Sequence, residues 1–308
     1  MQSISVVIPV YNSEGTIRDL CSQLLGTLKE ICDDFEIILV EDCSRDRSWE
    51  MILEVAQEEA SIRGIKLKRN YGQHNALLCG IRDAKNEIIV TMDDDLQNPV
   101  SEIPLLLAEL EKGFDVVYGS PKKEQHGIFR GFASRVTKLA LQGAMGVETA
   151  ANVSAFRAFR GHLKSAFEDY RSPAVEIDVL LTWATSRFSV VKVLHQPRGT
   201  GTSNYNLRKL VGHAFDLLTG FSTLPLRLAS IMGFLFTIFG FLVLVWVLGR
   251  YFITGESVPG FPFLASIIAI FSGAQMFALG IFGEYLARIH FRTLDRPTYS
   301  VHMRTNDE

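Results

Sequence analysis

Apolar and polar positions alternate in blocks along the first 120 residues, and block length and spacing predict the elements. Ser5–Pro9 lies in a run without charge, the length of a buried strand. Gly15–Ile31 carries Ile17, Leu20, Leu24, Leu25 and Leu28 at helical spacing. Glu36–Val40 reads as a second strand that ends at Glu41-Asp42. Asp46 or Ser48 is placed to cap the next helix, whose apolar side is Met51, Ile52, Val55 and Ala56. Ile65–Leu67 predicts a short strand, Asn75–Ala84 a helix, Glu87–Met92 a strand, Glu102–Lys112 a helix and Asp115–Gly119 a strand. This strand–helix alternation predicts an α/β domain with a mainly parallel sheet and helices on both faces.

The pattern changes in the last third. Leu228 to Leu248 is uncharged and apolar, long enough for the about 20 residues of a spanning helix. A second such run goes from Pro262 to Gly283, after a short link rich in Gly and Pro. Arg208, Lys209 and Arg227 precede the first run, and Arg288, Arg292, Arg296 and Arg304 follow the second. Only Arg250 lies between the runs. The bias predicts a multi-pass inner (cytoplasmic) membrane protein with both termini and the catalytic domain in the cytoplasm. Two further stretches, 128–147 and 207–221, set apolar stripes beside Arg and Lys. They suit either the plane of the lipid headgroups or packing on the sheet domain. Arg296 to Val301 has strand character.

Composition narrows the function. The chain has 308 residues, 47% hydrophobic, with a net charge of -3. That balance gives no nucleic-acid footprint. Cys21, Cys32, Cys43 and Cys79 form no C-x-x-C pair and read as reduced thiols, neither a disulfide framework nor a zinc site. The N-terminus starts on a strand-like run, so no cleavable signal is expected. Neither the dinucleotide nor the P-loop glycine pattern occurs.

Chemistry gathers at the strand ends. Tyr11-Asn12, Glu41-Asp42, Arg69-Asn70 and Asp93-Asp94-Asp95 all fall beyond the carboxyl ends of the expected strands, where such sheets bind ligands. Carboxylates crowded at a strand end repel one another, and a hard divalent cation relieves that repulsion. A solvated turn capping the following helix is the other reading of the same residues.

These segments together resemble glycosyltransferase family 2, with its metal-dependent GT-A fold. The matching residues are Val6 through Asn12, Val40 through Ser44, Arg69 through His74, Asp93 through Pro99 and Arg198 through Tyr205. Within the family the chain is similar to the polyprenyl-phosphate glycosyltransferases, and nearest to those that transfer formamido-arabinose. The resemblance implies transfer of a sugar from a nucleotide diphosphate, UDP by preference, to undecaprenyl or another polyprenyl phosphate. It implies Mg²⁺ or Mn²⁺ as cofactor and a homo-oligomer, often a tetramer. By the same resemblance Pro9, Tyr11, Glu14 and Arg69 line the nucleotide pocket, and Asp42 accepts from the base. Asp93 meets the ribose and diphosphate, while Asp95 and Gln97 hold the metal. Lys122, Arg130 and Ser134 meet the acceptor phosphate, and Arg198 the donor diphosphate. Two departures bear on the sugar. Asn204 stands where relatives often carry lysine, and Ala151-Asn152-Val153 replaces a more polar segment. The implied organisation is a catalytic domain over 1–205, an interfacial helix over 206–226, a membrane hairpin over 227–286 and a cytoplasmic tail over 287–308. A scaffold that keeps the fold without catalysis, or a family 2 enzyme with another acceptor, is the alternative. The Gln-x-x-Arg-Trp signature of processive synthases is absent from the sequence.

Overall fold

The computed structural model describes residues 3–121, 152–172, 175–195, 224–255, 260–294 and 296–305. Its first strand, β1 (Ile4–Val10), is buried along its whole length. A strand covered on both faces has no need to alternate with polar residues, which is why its sequence is almost continuously apolar. Helix α1 (Ile17–Ile31) buries Ile17, Leu20, Cys21, Leu24 and Leu28. Then follow β2 (Phe35–Glu41), α2 (Ser48–Glu58), β3 (Ile62–Leu67), α3 (Gln73–Asp83), β4 (Ile88–Thr91), α4 (Ile103–Glu111) and β5 (Val116–Pro121). Each strand and helix expected from the sequence up to this point is present, within a few residues of its expected bounds.

The later strands were not legible. β6 (Arg157–Arg160) and β7 (Phe188–Val193) are short and interrupted by charge. Between them lies α5 (Ile177–Ala184). Among the described residues the sheet has eight strands in the order β7-β5-β6-β4-β1-β2-β3-β8, where β8 is Val301–Arg304. Four neighbouring pairs are parallel and three antiparallel, with β6 inserted against the run between β4 and β5.

Alternate side chains of the central strands feed two cores. Val6, Ile8, Ile37 and Leu39 face α1, α2 and α4. Val7, Ile38 and Val40 face α3 and α5. The result is three layers, helix–sheet–helix. The chain winds outward from β1 to β3, then returns to place β4 on the other side of β1. A crevice opens where winding reverses, between the carboxyl ends of β1 and β4.

Pro9 fits this arrangement. Val7 accepts from Met92 N–H on the β4 side, and Val10 accepts from Asp42 N–H on the β2 side. By strand alternation Pro9 therefore turns its missing donor toward β4. That strand stops pairing at Thr91, opposite Val7, so a proline is tolerated in a central strand.

Two long helices complete the chain, α6 (Leu224–Thr254) and α7 (Phe261–Thr293). At 1.5 Å per residue they are about 46 and 50 Å long. Both are long and apolar enough to cross a membrane: within Pro225–Ile253 and Ile270–Thr293 an 18-residue stretch reaches a mean hydropathy of 2.6 and 1.2 respectively. Their apolar side chains point outward, as Phe234 at 66% and Ile253 at 84% exposure illustrate. They meet through Phe236 and Phe271, whose rings lie edge to face at 5.5 Å.

The four cysteines are free. Burial pushes the Cys21 and Cys79 thiols up to about 12, as befits packing residues without redox chemistry.

Candidate functional site

The turns after β1, β2 and β4 each contain one non-glycine residue in the left-handed region: Asn12 at φ 55°, Cys43 at 57° and Leu96 at 59°. Such residues are uncommon and persist only where surrounding bonds fix them. Here they cluster at the carboxyl ends of neighbouring strands.

Side chains tie these turns together. Asn12 Oδ1 accepts from Arg45 N–H at 2.8 Å, and Ser44 Oγ accepts from Asn12 N–H at 3.0 Å. Glu14 Oε2 accepts from Arg47 N–H at 2.9 Å, while Asp46 Oδ2 accepts from Glu14 N–H at 3.1 Å. Ser48 Oγ accepts from Ser13 N–H at 2.8 Å. Asp46 does serve the start of α2, accepting from Ser48 N–H at 3.1 Å.

Asp42 is 3% exposed. Its two oxygens accept from Tyr71 N–H and Gly72 N–H, both at 2.7 Å. Burial, aided by neighbouring Glu41, raises its carboxyl above the ordinary value against the pull of these bonds. Asp42 thus fixes the turn after β3, which carries Arg69. The Arg69 guanidinium lies 4.7 Å from the Tyr71 ring centroid. Glu41, 1% exposed, accepts from Ser44 N–H through one oxygen, while Oε2 is buried without a hydrogen-bond partner.

The three aspartates divide. Asp93 Oδ1 accepts from Gln73 Nε2 at 2.7 Å. Asp95 Oδ1 accepts from Gln97 N–H at 3.1 Å, a short turn around left-handed Leu96. Asp94 points across the crevice instead. Its Oδ2 accepts from Tyr11 N–H at 3.1 Å and from the Ser13 hydroxyl. Burial raises its carboxyl above the ordinary range even though both bonds favour the charge. The solvated-turn reading of the run does not hold at Asp94, which the structure makes the clasp between β1 and β4.

A buried polar row lies one step down these strands. Thr91, Arg157 and Tyr118 are cross-strand neighbours on β4, β6 and β5. Arg157, 1% exposed, donates to Thr91 Oγ1 at 2.9 Å and is ion-paired with Asp178 at the start of α5. Tyr118 donates to the same Asp178 oxygen at 3.0 Å. Glu176, two residues earlier, sits 3.2 Å from His74 Nε2. Burial first, and then repulsion from Asp178, push Glu176 up to about 8. Sequence reasoning missed this network. Its signal was an arginine among apolar residues, Ala155-Phe156-Arg157-Ala158-Phe159, and two acids opening an apolar helix.

The expected residues Pro9, Tyr11, Glu14, Asp42, Arg69, Asp93, Asp95 and Gln97 all lie on β1 or in the turns after β1 to β4. Pro9 is buried and Tyr11 is 43% exposed. Lys122, Arg130, Ser134 and Arg198 fall outside the described residues, as do the stretches 128–147 and 207–221. Asp93, Asp95 and Gln97 supply only oxygen donors, which fits a hard divalent cation. Among the described residues no group of three His, Cys, Asp or Glu forms a closed metal cage. A cation here would draw its remaining ligands from phosphate and water, as Mg²⁺ and Mn²⁺ sites commonly do.

A doubly wound sheet, acidic turns at its switch point and a carboxylate run after β4 define a nucleotide-sugar-binding protein of the GT-A kind. Residues 5–171 match the glycosyl transferase family 2 model. The chain belongs to glycosyltransferase family 2. It is 36% identical over 304 residues to the undecaprenyl-phosphate 4-deoxy-4-formamido-L-arabinose transferase of Pectobacterium carotovorum, an alignment covering 98% of this chain and 93% of that one. To the enzyme of the same name from Photorhabdus laumondii it is 35% identical over 310 residues, covering 100% and 95%. Among solved structures, glucosyl-3-phosphoglycerate synthase of Mycobacterium tuberculosis, in complex with Mn²⁺, UDP and glucosyl-3-phosphoglycerate, superposes with a TM-score of 0.53. That match has 17% identity and covers 71% of this chain and 78% of that one. It supports the fold alone.

Proposed function

We propose that this glycosyltransferase moves a sugar from a UDP-linked donor to undecaprenyl phosphate, or another polyprenyl phosphate, at the cytoplasmic face of a membrane. The observation that carries the reading is one chain holding both an acidic switch-point site and two long apolar helices with outward-facing side chains. The similarity to the formamido-arabinose transferases extends through those helices, since it covers 98% of the chain.

The roles follow from chemistry and position. Pro9, Tyr11, Glu14 and Arg69 border the nucleotide. Asp42 fixes the wall that carries Arg69 and offers the base its remaining lone pairs. Asp93 takes the ribose and diphosphate. Asp95 and Gln97 hold Mg²⁺ or Mn²⁺, which when bound supplies counter-charge to the departing diphosphate. Arg198 adds to that charge, and Lys122, Arg130 and Ser134 orient the acceptor phosphate. A phosphate monoester has a second pKa near 6, so the nucleophile is already largely dianionic at pH 7 and needs no strong base. In-line attack inverts the anomeric carbon.

A thermal-shift panel tests the donor half. A UDP-sugar with Mn²⁺ should raise the Tm of the purified chain, because ligand bound to the native state stabilises it. The Asp95→Ala chain should lose that shift. A shift with GDP-sugars alone would replace the base assignment. No shift with any nucleotide would leave a non-catalytic scaffold as the better reading.

A further inference from the structure

The chain does not end at the membrane helix. After α7 it returns to the catalytic domain and adds β8 to the free edge of β3. The ladder is antiparallel, with Ile65 opposite Arg304 and Leu67 opposite Val301. Gly64 and Thr305 exchange two hydrogen bonds, at 3.0 and 3.1 Å. Thr298 is 6% exposed. Ser300 C=O accepts from Lys68 N–H at 2.9 Å, directly before the Arg69–Gly72 wall of the site.

Chain length makes this return short. α7 ends at Thr293, and the chain is buried again at Thr298, whose hydroxyl accepts from Arg82 of α3 at 3.4 Å. Five residue steps span at most about 18 Å when fully extended. The other covalent link, residues 196–223, has several times as many residues. The last turns of α7 carry Glu284, paired with Arg288 at 2.9 Å, and basic residues His290 and Arg292. Those are groups for a headgroup layer, not for hydrocarbon.

We infer that the segment from Thr293 to Ser300 is a leash that holds the donor wall of the site at a fixed height above the bilayer, where a membrane-embedded phosphate can reach it. The inference rests on the proposed lipid acceptor. The leash acts as a positioning element: it touches no substrate, and it works by raising the effective concentration of site and lipid phosphate.

The test inserts six Gly/Ser residues between Leu294 and Pro297 of the full-length chain, adding up to about 20 Å of slack. Three readouts are compared with the unmodified chain. Transfer to undecaprenyl phosphate in vesicles should fall at least about threefold, as effective concentration falls with roughly the 3/2 power of tether length. Transfer to a water-soluble short-chain isoprenyl phosphate should stay within about twofold, and the donor-induced thermal shift should be unchanged. Vesicle transfer within twofold of the unmodified rate would overturn the leash while leaving the acceptor reading intact. An equal loss with both acceptors would also overturn it, because the strand would then be serving the domain's fold. If the unmodified chain transfers to neither isoprenyl phosphate, the acceptor reading fails and the leash fails with it.

Discussion

At the residue scale the three consecutive aspartates perform separate tasks. Asp95 lies in the turn with Gln97, whose N–H it accepts, and the proposed function gives this pair to a cation. Asp95→Ala should abolish sugar transfer while removing one turn bond worth about 1 kcal/mol. Activity and thermal unfolding measured side by side check this. Asp94 is the structural member of the run. Asp94→Ala removes the acceptor of the exposed Tyr11 N–H and leaves the Ser13 hydroxyl only Tyr11 C=O at 3.2 Å, at a cost of about 1 kcal/mol. Asp94→Asn keeps an acceptor oxygen and should recover most of that stability. Donor KM should rise in the alanine variant with metal affinity unchanged. A loss of metal affinity would instead make Asp94 a ligand. The sequence placed all three aspartates at the right edge of the sheet, because strand ends are readable from periodicity. The bonds of Asp94 to Tyr11 and Ser13 were not readable, since they depend on β1 and β4 lying side by side.

At the element scale α3 connects the upper site to the buried row beneath it. Gln73 bonds Asp93 and His74 meets Glu176, so the first turn of this helix touches both. Gly80 lets the helix lie close on the sheet. A Cβ there would fall 2.4 Å from Val7 Cγ1 and 3.0 Å from Val40 Cγ2. Alanine in a helix interior ordinarily gains about 1 kcal/mol over glycine. Here the β-branched neighbours cannot swing away, so overpacking wins and Gly80→Ala should destabilise by about 1–3 kcal/mol. Glu176 gives a pH signature. Its folded-state value of about 8 lies above the ordinary 4.5. The folded chain therefore holds this proton where the unfolded chain has lost it, and Glu176's contribution to stability falls as pH rises from 4.5 towards 8. Comparing Tm at pH 5 and pH 8 should show a smaller drop for Glu176→Gln than for the unmodified chain. The helices on this face were legible from their apolar spacing. The row of Thr91, Arg157 and Tyr118 was not, because β6 is a four-residue strand whose partners come from distant parts of the chain.

At the scale of the whole molecule, α/β alternation gave way in the sequence to two uncharged runs, and both parts of that reading survive in the fold. What the sequence could not show was the return. Strand character was read at Arg296–Val301, whereas the strand runs Val301–Arg304, and its pairing with β3 spans more than 200 residues and leaves no local mark. The return closes the sheet edge that would otherwise lie open. It also joins the apolar hairpin to the turn after β3, which bears Arg69. The most direct measurement is transfer of radiolabel from a panel of UDP-sugars to undecaprenyl phosphate, by the purified full-length chain in vesicles with Mn²⁺. Label should reach the organic phase with one UDP released per sugar transferred, and none should reach it with Asp95→Ala. A folded, donor-binding chain that delivers no label to the lipid would contradict the proposed function.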